Sequence, residues 1–247
     1  MQALSTSELL DLWEAGRSRC NVERGLLLLR AARPELDRDA QLDMPIGERD
    51  AHLLAVREAT FGATAALIAG CHACGEQLEL ECPLSAALAA PHDLAGGSEP
   101  FGFECGENTV CFRLPTSRDL ASVRDALSHL EGASRALLSR CVSVVDRAGT
   151  ALDCATLSDA EVAAIVQRMQ DADPRAYLAL ALRCPSCGRS WSEALDVVAC
   201  LWTELSALAA RTLRQVHVIA SCYGWNEQRI LRLSSARRQL YVEMASP

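Results

Sequence analysis

An α+β fold is what this chain of 247 residues predicts, and three patterns predict it. A pair of short apolar runs flanks a Cys-x-x-Cys-Gly turn around Arg183–Trp191. The same unit occurs once more at Ala63–Cys82. Stretches rich in leucine and alanine, with helical spacing, stand on either side of these units. Hairpins grouped apart from helices, rather than strands alternating with helices, mark the α+β class.

The elements follow in order. Ser5-x-x-Glu8 ahead of Leu9, Leu10, Leu12 and Trp13 is a capping box that opens a helix. Asn21 is placed to cap a second helix, Val22–Ala32, which Pro34 stops; a third, Glu48–Thr60, follows the break at Pro45-Ile-Gly47. None of the three carries a polar cluster suited to catalysis, and together they read as a helical packing arm. The first hairpin pairs Thr64–Ala69 with Gln77–Cys82, whose Leu/Glu alternation is that of a half-buried strand. Pro91–Pro100, with Gly96-Gly97-Ser98, reads as a loop. Phe101–Cys105 and Thr109–Leu114 read as a strand pair turning at Gly106-Glu-Asn108, followed by helices beginning near Thr116 or Ser117 and spanning Ala133–Val142. Ser158-Asp-Ala-Glu161 is a further capping box, for a helix ending near Ala172. After the second hairpin the longest helical stretch runs over Val197–Tyr223, with Gly224 as its stop and Asn226 capping a short helix to Leu233. A last helix begins at Ser234 or Ser235 and ends near Ala245.

Composition narrows the classes. Half of the residues are apolar but only 4% are aromatic, so the core is built mainly from Leu, Ala and Val. All 24 basic residues are arginine and the net charge is −8, which disfavours general binding to nucleic acid. Glu204–Pro247 holds six Arg against three Glu, a local net of +3, which leaves −11 for the rest. Met1–Leu10 carries Ser, Thr and Glu where a secretory leader needs an apolar stretch, and no apolar run approaches the roughly 20 residues that span a bilayer. The expected setting is cytoplasmic, without membrane contact. The twelve cysteines are then reduced thiols, and Cys-x-x-Cys means metal or redox chemistry.

Cys71, Cys74, Cys184 and Cys187 supply four thiolates, the donor set of a structural zinc ion. Two residues between the sulfurs let the backbone curl so that both face one metal, and the glycine after each pair permits φ > 0. The 109 residues between Cys74 and Cys184 make a long interval, but loop-closure entropy grows only logarithmically. Other readings stay open: a redox pair, which requires a helix directly after the motif; separate sites using Cys82, Cys105, Cys111, His72 or His92; or no metal. Cys20, Cys141, Cys200 and Cys222 lie in apolar helical contexts and read as small core residues. No Gly-x-Ser-x-Gly, Walker A or dinucleotide fingerprint is present, and nothing recommends an enzyme.

The basic C-terminal end is the second candidate site. Arg229, Arg232, Arg237 and Arg238 accompany Tyr223, Trp225 and Tyr241 around the Gly224-Trp225-Asn226 turn. The layout is compatible with helix–turn–helix binding of DNA. Trp, Tyr and Arg are also the residues favoured at protein interfaces, and the acidic balance of the rest favours protein docking.

Three stretches together carry a resemblance: Cys71-His-Ala-Cys-Gly75 with its strand; Phe112-Arg-Leu-Pro-Thr-Ser-Arg-Asp-Leu120; and the run from Arg183-Cys-Pro-Ser-Cys-Gly188 through Tyr223-Gly-Trp225, Ile230-Leu231 and Arg237-Arg238 to Tyr241. They resemble the T-even-like phage baseplate protein family, as found in contractile phage tails and bacterial contractile injection systems. The resemblance runs from about Gly47 onward and is densest after Asp173. It implies a non-enzymatic baseplate component or assembly factor, working in the bacterial cytoplasm or within a phage-tail-like particle by binding other baseplate and tail proteins in a hetero-oligomer. The resulting expectation is a zinc-ribbon-like core of two Cys-x-x-Cys hairpins with inserted strands and helices (62–197), between an N-terminal helical arm (1–61) and a C-terminal helical docking region (198–247).

Overall fold

The computed structural model describes residues 4–84, 101–123 and 130–245. The expected loop Pro91–Pro100 and the candidate ligand His92 lie outside the described residues. Four helices open the chain: α1 (Thr6–Gly16), α2 (Asn21–Ala32), α3 (Arg38–Asp43) and α4 (Ile46–Phe61). The Ser5/Glu8 capping box is formed in both directions, as the sequence predicts. Asn21 does not cap α2. Cys20 occupies that position, its N–H donating to Glu23, while the Asn21 amide donates to Asp196 at the start of a distant helix. The short helix α3 was not legible from periodicity; Asp37 caps it by accepting from the Ala40 N–H.

The first hairpin, β1 (Thr64–Gly70) and β2 (Gln77–Pro83), is a two-stranded antiparallel sheet. A four-stranded antiparallel meander follows in the order β3 (Phe101–Cys105), β4 (Asn108–Phe112), β5 (Val142–Val145), β6 (Ala151–Leu152). The sequence reading held only its first two strands. The chain from Val142 continues as a strand because Val142, Val144 and Val145 are β-branched and pair with β4. Helix α5 (Ser117–Ser122) lies between this unit and α2 and α3, while α6 (Leu130–Cys141) and α7 (Asp159–Ala172) belong to it. Its core is Val110, Phe112 and Val144 from the sheet against Leu138 and Ile165 from α6 and α7. The second hairpin, β7 (Ala179–Arg183) and β8 (Ser190–Ala194), leads into α8 (Val197–Tyr223), α9 (Glu227–Leu231) and α10 (Ser235–Ala245).

The largest apolar core joins α1, α2 and α4 to β1 and the first half of α8, through Leu9, Leu28, Leu29, Leu53, Ala65, Val198, Leu201 and Leu205. In packing, therefore, the start of α8 sides with the N-terminal helices. Arg57, whose side chain is 2% exposed, ties the same parts together. Its guanidinium donates to both oxygens of Glu204 on α8, at 2.9 and 2.7 Å, and to the carbonyls of Gly62 and Thr64, at 2.6 Å each. The charge is buried with four of the guanidinium's five N–H donors engaged, the condition under which a buried ion pair is tolerated.

The meander unit meets the helices at the start of α4. Pro45 bridges Thr116, and the Ile46 N–H donates to the Pro115 carbonyl at 3.0 Å. Pro45 has no side-chain donor or acceptor with which to cap α4. The cap comes instead from Asp173, just past α7, whose Oδ2 accepts from the Gly47 N–H at 3.0 Å. A Cβ on Gly47 would lie 1.9 Å from Asp173 Oδ1. Gly47→Ala is thus expected to expel this carboxylate, destabilising the protein by about 2–4 kcal/mol; a melting temperature within a degree or two of wild type would contradict the cap.

Asp119 is the ionic centre of the meander's edge. It accepts from Arg113 at 2.6 and 2.8 Å and from the Thr116 backbone N–H at 3.0 Å. Burial raises its pKa, but these donors outweigh burial and hold the carboxyl well below the usual range. A carboxyl depressed in the folded state adds stability that is complete above its unfolded value of about 3.9 and is lost as pH falls through the folded value. Asp119→Asn is expected to lower stability at neutral pH, with the gap to wild type narrowing steadily as pH falls from roughly 4 to 2. Melting curves in parallel over that window check this; a gap independent of pH would exclude the ionic account.

Candidate metal centre

Each hairpin tip is built by the same two backbone bonds. In the first, the Cys71 N–H donates to the Glu76 carbonyl and the Gly75 N–H to the Cys71 carbonyl, both at 2.8 Å. In the second, the Cys184 N–H donates to the Arg189 carbonyl at 2.8 Å and the Gly188 N–H to the Cys184 carbonyl at 3.0 Å. Gly75 and Gly188 have φ of 76° and 74°, and nothing lies within 4 Å of where a Cβ would be. Backbone conformation, not space, is what calls for glycine at the two turns.

The tips face each other and their sulfurs pair crosswise. Cys71 Sγ lies 3.7 Å from Cys187 Sγ, and Cys74 Sγ lies 3.6 Å from Cys184 Sγ. All four sulfurs fall within 4.8 Å of one another. A tetrahedron with metal–sulfur bonds of about 2.3 Å has edges of about 3.8 Å, so the donor set fits a tetrahedral thiolate site. It is far from the roughly 2.05 Å of a disulfide. Each tip contributes one buried and one exposed cysteine: Cys71 and Cys184 inside, Cys74 and Cys187 outside. Leu78, Leu80 and Trp191 pack beside the buried pair. Sequence reasoning gave these three no role, although Leu78 and Leu80 are the inward members of the alternation that identified β2.

The electrostatics show what the cluster lacks. Backbone N–H groups of Ala73 and Cys74 push the Cys71 thiol down to about 6. At Cys74 the Glu76 N–H favours the thiolate, but neighbouring Cys184, burial, Cys187 and Cys71 outweigh it and push the thiol up to about 12. Four thiolates at these distances repel, so protons stay on some sulfurs until a cation replaces them. Four cysteines so placed can hold one metal ion.

No helix starts at either pair; β2 and β8 follow them, which disfavours the redox reading. Among the described residues, Cys82, Cys105, Cys111 and His72 are not part of any such group. His72 is exposed, with Nε2 3.4 Å from Glu193 and its ring edge-on to Trp191. Cys82 and Cys200 pack against the helical core and Cys141 lies inside the meander core. Burial pushes the thiols of Cys141 and Cys200 up to about 11, as befits small apolar residues. Cys222, expected in a core, is exposed near the end of α8.

At the other end, Tyr223, Trp225 and Tyr241 form a triangle of rings with centroids 5.0–5.6 Å apart, and the Arg229 guanidinium stacks 4.4 Å over Trp225. Arg232 and Arg237 are exposed, and among the described residues no arginine beyond Glu204 forms an ion pair with a carboxylate. Arg238 is corrected: it is 1% exposed and cannot face a partner. It donates to the Leu233 carbonyl at 2.7 Å and to Gln215 at 3.2 Å, holding α10 against α8, and burial lowers its pKa. Single-sequence reading grouped it with Arg237 because adjacent helical residues cannot be told inward from outward without the packing.

The fold and the site together define a class: an α+β protein in which a thiol cluster able to hold a metal joins two hairpins far apart in the chain. Residues 33–198 match the family model described as T4 bacteriophage base plate protein, and the chain belongs to that family. The matched span takes in both hairpins and the meander unit and ends in the first turn of α8. The Tyr223-Gly-Trp225 and Arg237-Arg238 features lie beyond it. No curated protein and no solved structure matches the chain.

Replacing Cys184, a buried member of the cluster, tests the centre directly. Cys184→Ser is expected to abolish stoichiometric metal and lower the melting temperature by roughly 10 °C, with most helical signal retained. Unchanged metal content and an unchanged melting curve would remove the site.

Proposed function

We propose that this protein is a zinc-stabilised structural component or assembly factor of the baseplate of a contractile phage-tail-like injection system, acting by docking to other baseplate and tail proteins rather than by catalysis. The observation that carries the reading is the convergence of Cys71, Cys74, Cys184 and Cys187 in a chain of the base plate family. Zinc is the metal best suited to four thiolates in tetrahedral array, and it brings no redox chemistry of its own. Bound there it clamps the two hairpins. By analogy with a covalent cross-link, closing a loop of this length removes on the order of 4–5 kcal/mol of entropy from the unfolded chain.

The C-terminal arm serves as the docking element in this proposal. Support comes from the aromatic triangle, the exposed Arg232 and Arg237, and the exposed apolar side chains Leu240 (57%) and Met244 (67%). A duplex-binding reading has less support: α9, the helix after the Gly224 turn, has only five residues, and the whole chain is acidic. No helix among the described residues is long and apolar enough to cross a membrane.

Elemental analysis of the reduced protein, with a free-thiol count, tests the zinc. One zinc per chain with four thiols protected from labelling is expected; no metal together with a readily formed Cys184–Cys187 disulfide would replace the clamp by a redox pair. Trp225→Ala and Arg237→Ala are each expected to leave the free protein folded but reduce its incorporation into assembled particles. Wild-type incorporation of both would remove the docking role of the arm.

A further inference from the structure

A groove of about 410 Å³ opens between α2 and α3, on the opposite side of the sequence from the C-terminal arm. Half-buried Leu26, Leu27, Leu36 and Leu42 line its floor, and Glu23 is part of the lining as well. Three exposed arginines, Arg19, Arg30 and Arg38, stand on its rim. The wall between the helices is fixed by Gln41, which is buried and donates to the Leu36 carbonyl at 2.9 Å and the Arg33 carbonyl at 3.5 Å. The groove is therefore held open by its own hydrogen bonds.

Among the described residues none of the three rim arginines pairs with a carboxylate. Among the described residues, neither Arg30 nor Arg38 forms an ion pair or a side-chain hydrogen bond, and Arg19 donates only to the Ala15 carbonyl. Nearby carboxylates are already engaged. Glu23 accepts from the Cys20 N–H, Glu35 pairs with Arg33, and Asp37 caps α3. Asp39 and Asp43 both bind Arg118. In a chain of net charge −8, three guanidinium groups against the single carboxylate of Glu23, around a leucine-lined trough, form a complement to apolar side chains flanked by carboxylates.

We propose that this groove is a second docking site, which takes an acidic, leucine-bearing helical segment of another protein. A volume of this size holds about three or four aliphatic side chains, as when an amphipathic helix lays its apolar face into a groove. Arg30 and Arg38 then meet carboxylates on the flanks of that helix. With the arm at the far end of α8, the chain would engage two partners at once. This inference stands on residues the arm does not share and does not need the zinc.

The test uses the full-length protein and a fluorescein-labelled synthetic helix of about 16 residues, with Leu at i, i+3, i+4 and i+7 and Glu on both flanks. A second peptide carries Lys in place of Glu. Fluorescence anisotropy at low and moderate salt is expected to show the wild type binding the Glu peptide, more weakly as salt rises, and preferring it at least tenfold to the Lys peptide. The double variant Arg30→Glu/Arg38→Glu is expected to lose at least tenfold for the Glu peptide and to gain affinity for the Lys peptide. Arg232→Glu/Arg237→Glu, on the arm, is expected to change neither. Absence of binding by the wild type, equal affinity in the groove variant, or loss in the arm variant instead would each overturn the proposal. Circular dichroism of both surface variants is the control for a retained fold, so that a loss reads on the groove alone.

Discussion

Four sulfur atoms within 4.8 Å of one another, drawn from turns separated by 109 residues, are the constraint on which the arrangement of this protein depends. Among the described residues the two hairpins do not share a sheet: β1 pairs with β2 alone, and β7 with β8 alone. Between them lie the sulfur cluster, a small apolar contact of Leu78 and Leu80 with Trp191, and the exposed approach of His72 to Glu193 and Trp191. Two-stranded sheets are marginal alone. A metal held by the four sulfurs would fix both tips to one point, and with them the place where β8 delivers the chain into α8, a 27-residue helix about 40 Å long.

A second tier of contacts acts at the base of the same arrangement. Arg57 fastens the corner where α4 gives way to β1 onto Glu204 of α8, and Asp173 fastens the end of the meander unit onto the first turn of α4. Both reach across more than a hundred residues of sequence; Arg57 donates to a carboxylate and two backbone carbonyls, and Asp173 accepts from a backbone N–H. Such contacts fix geometry more than they add net stability, because the cost of desolvation offsets much of the attraction. The result is a chain whose ends are helical, whose middle is a sheet with helices, and whose joints are polar.

Much of this was legible before the structure. The capping boxes at Ser5 and Ser158, the helix from Val197 to Tyr223 with Gly224 as its left-handed stop, and both knuckle hairpins follow from local rules that act within a few residues. The four cysteines could be chosen from twelve because only they stand in Cys-x-x-Cys-Gly turns between strand patterns. What escaped was non-local. The β5 strand emerges directly from the helix before it, so no turn residue announces it, and its pairing with β4 is a tertiary fact. Asn21 had the chemistry of a cap but was taken by Asp196, a partner 175 residues away. Arg238 and Arg237 are alike in sequence, and only the seat of α10 on α8 turns one inward.

The long interval between the two Cys-x-x-Cys turns also has a meaning in time. During synthesis the first turn leaves the ribosome well before the second has been made. At roughly 5–20 residues per second the interval of 109 residues corresponds to roughly 5–20 s. Over that period Cys71 and Cys74 supply only two of the four sulfurs, while the strands and helices of the meander unit are still being made. The four-sulfur cluster is therefore completed late, once the intervening unit has been synthesised.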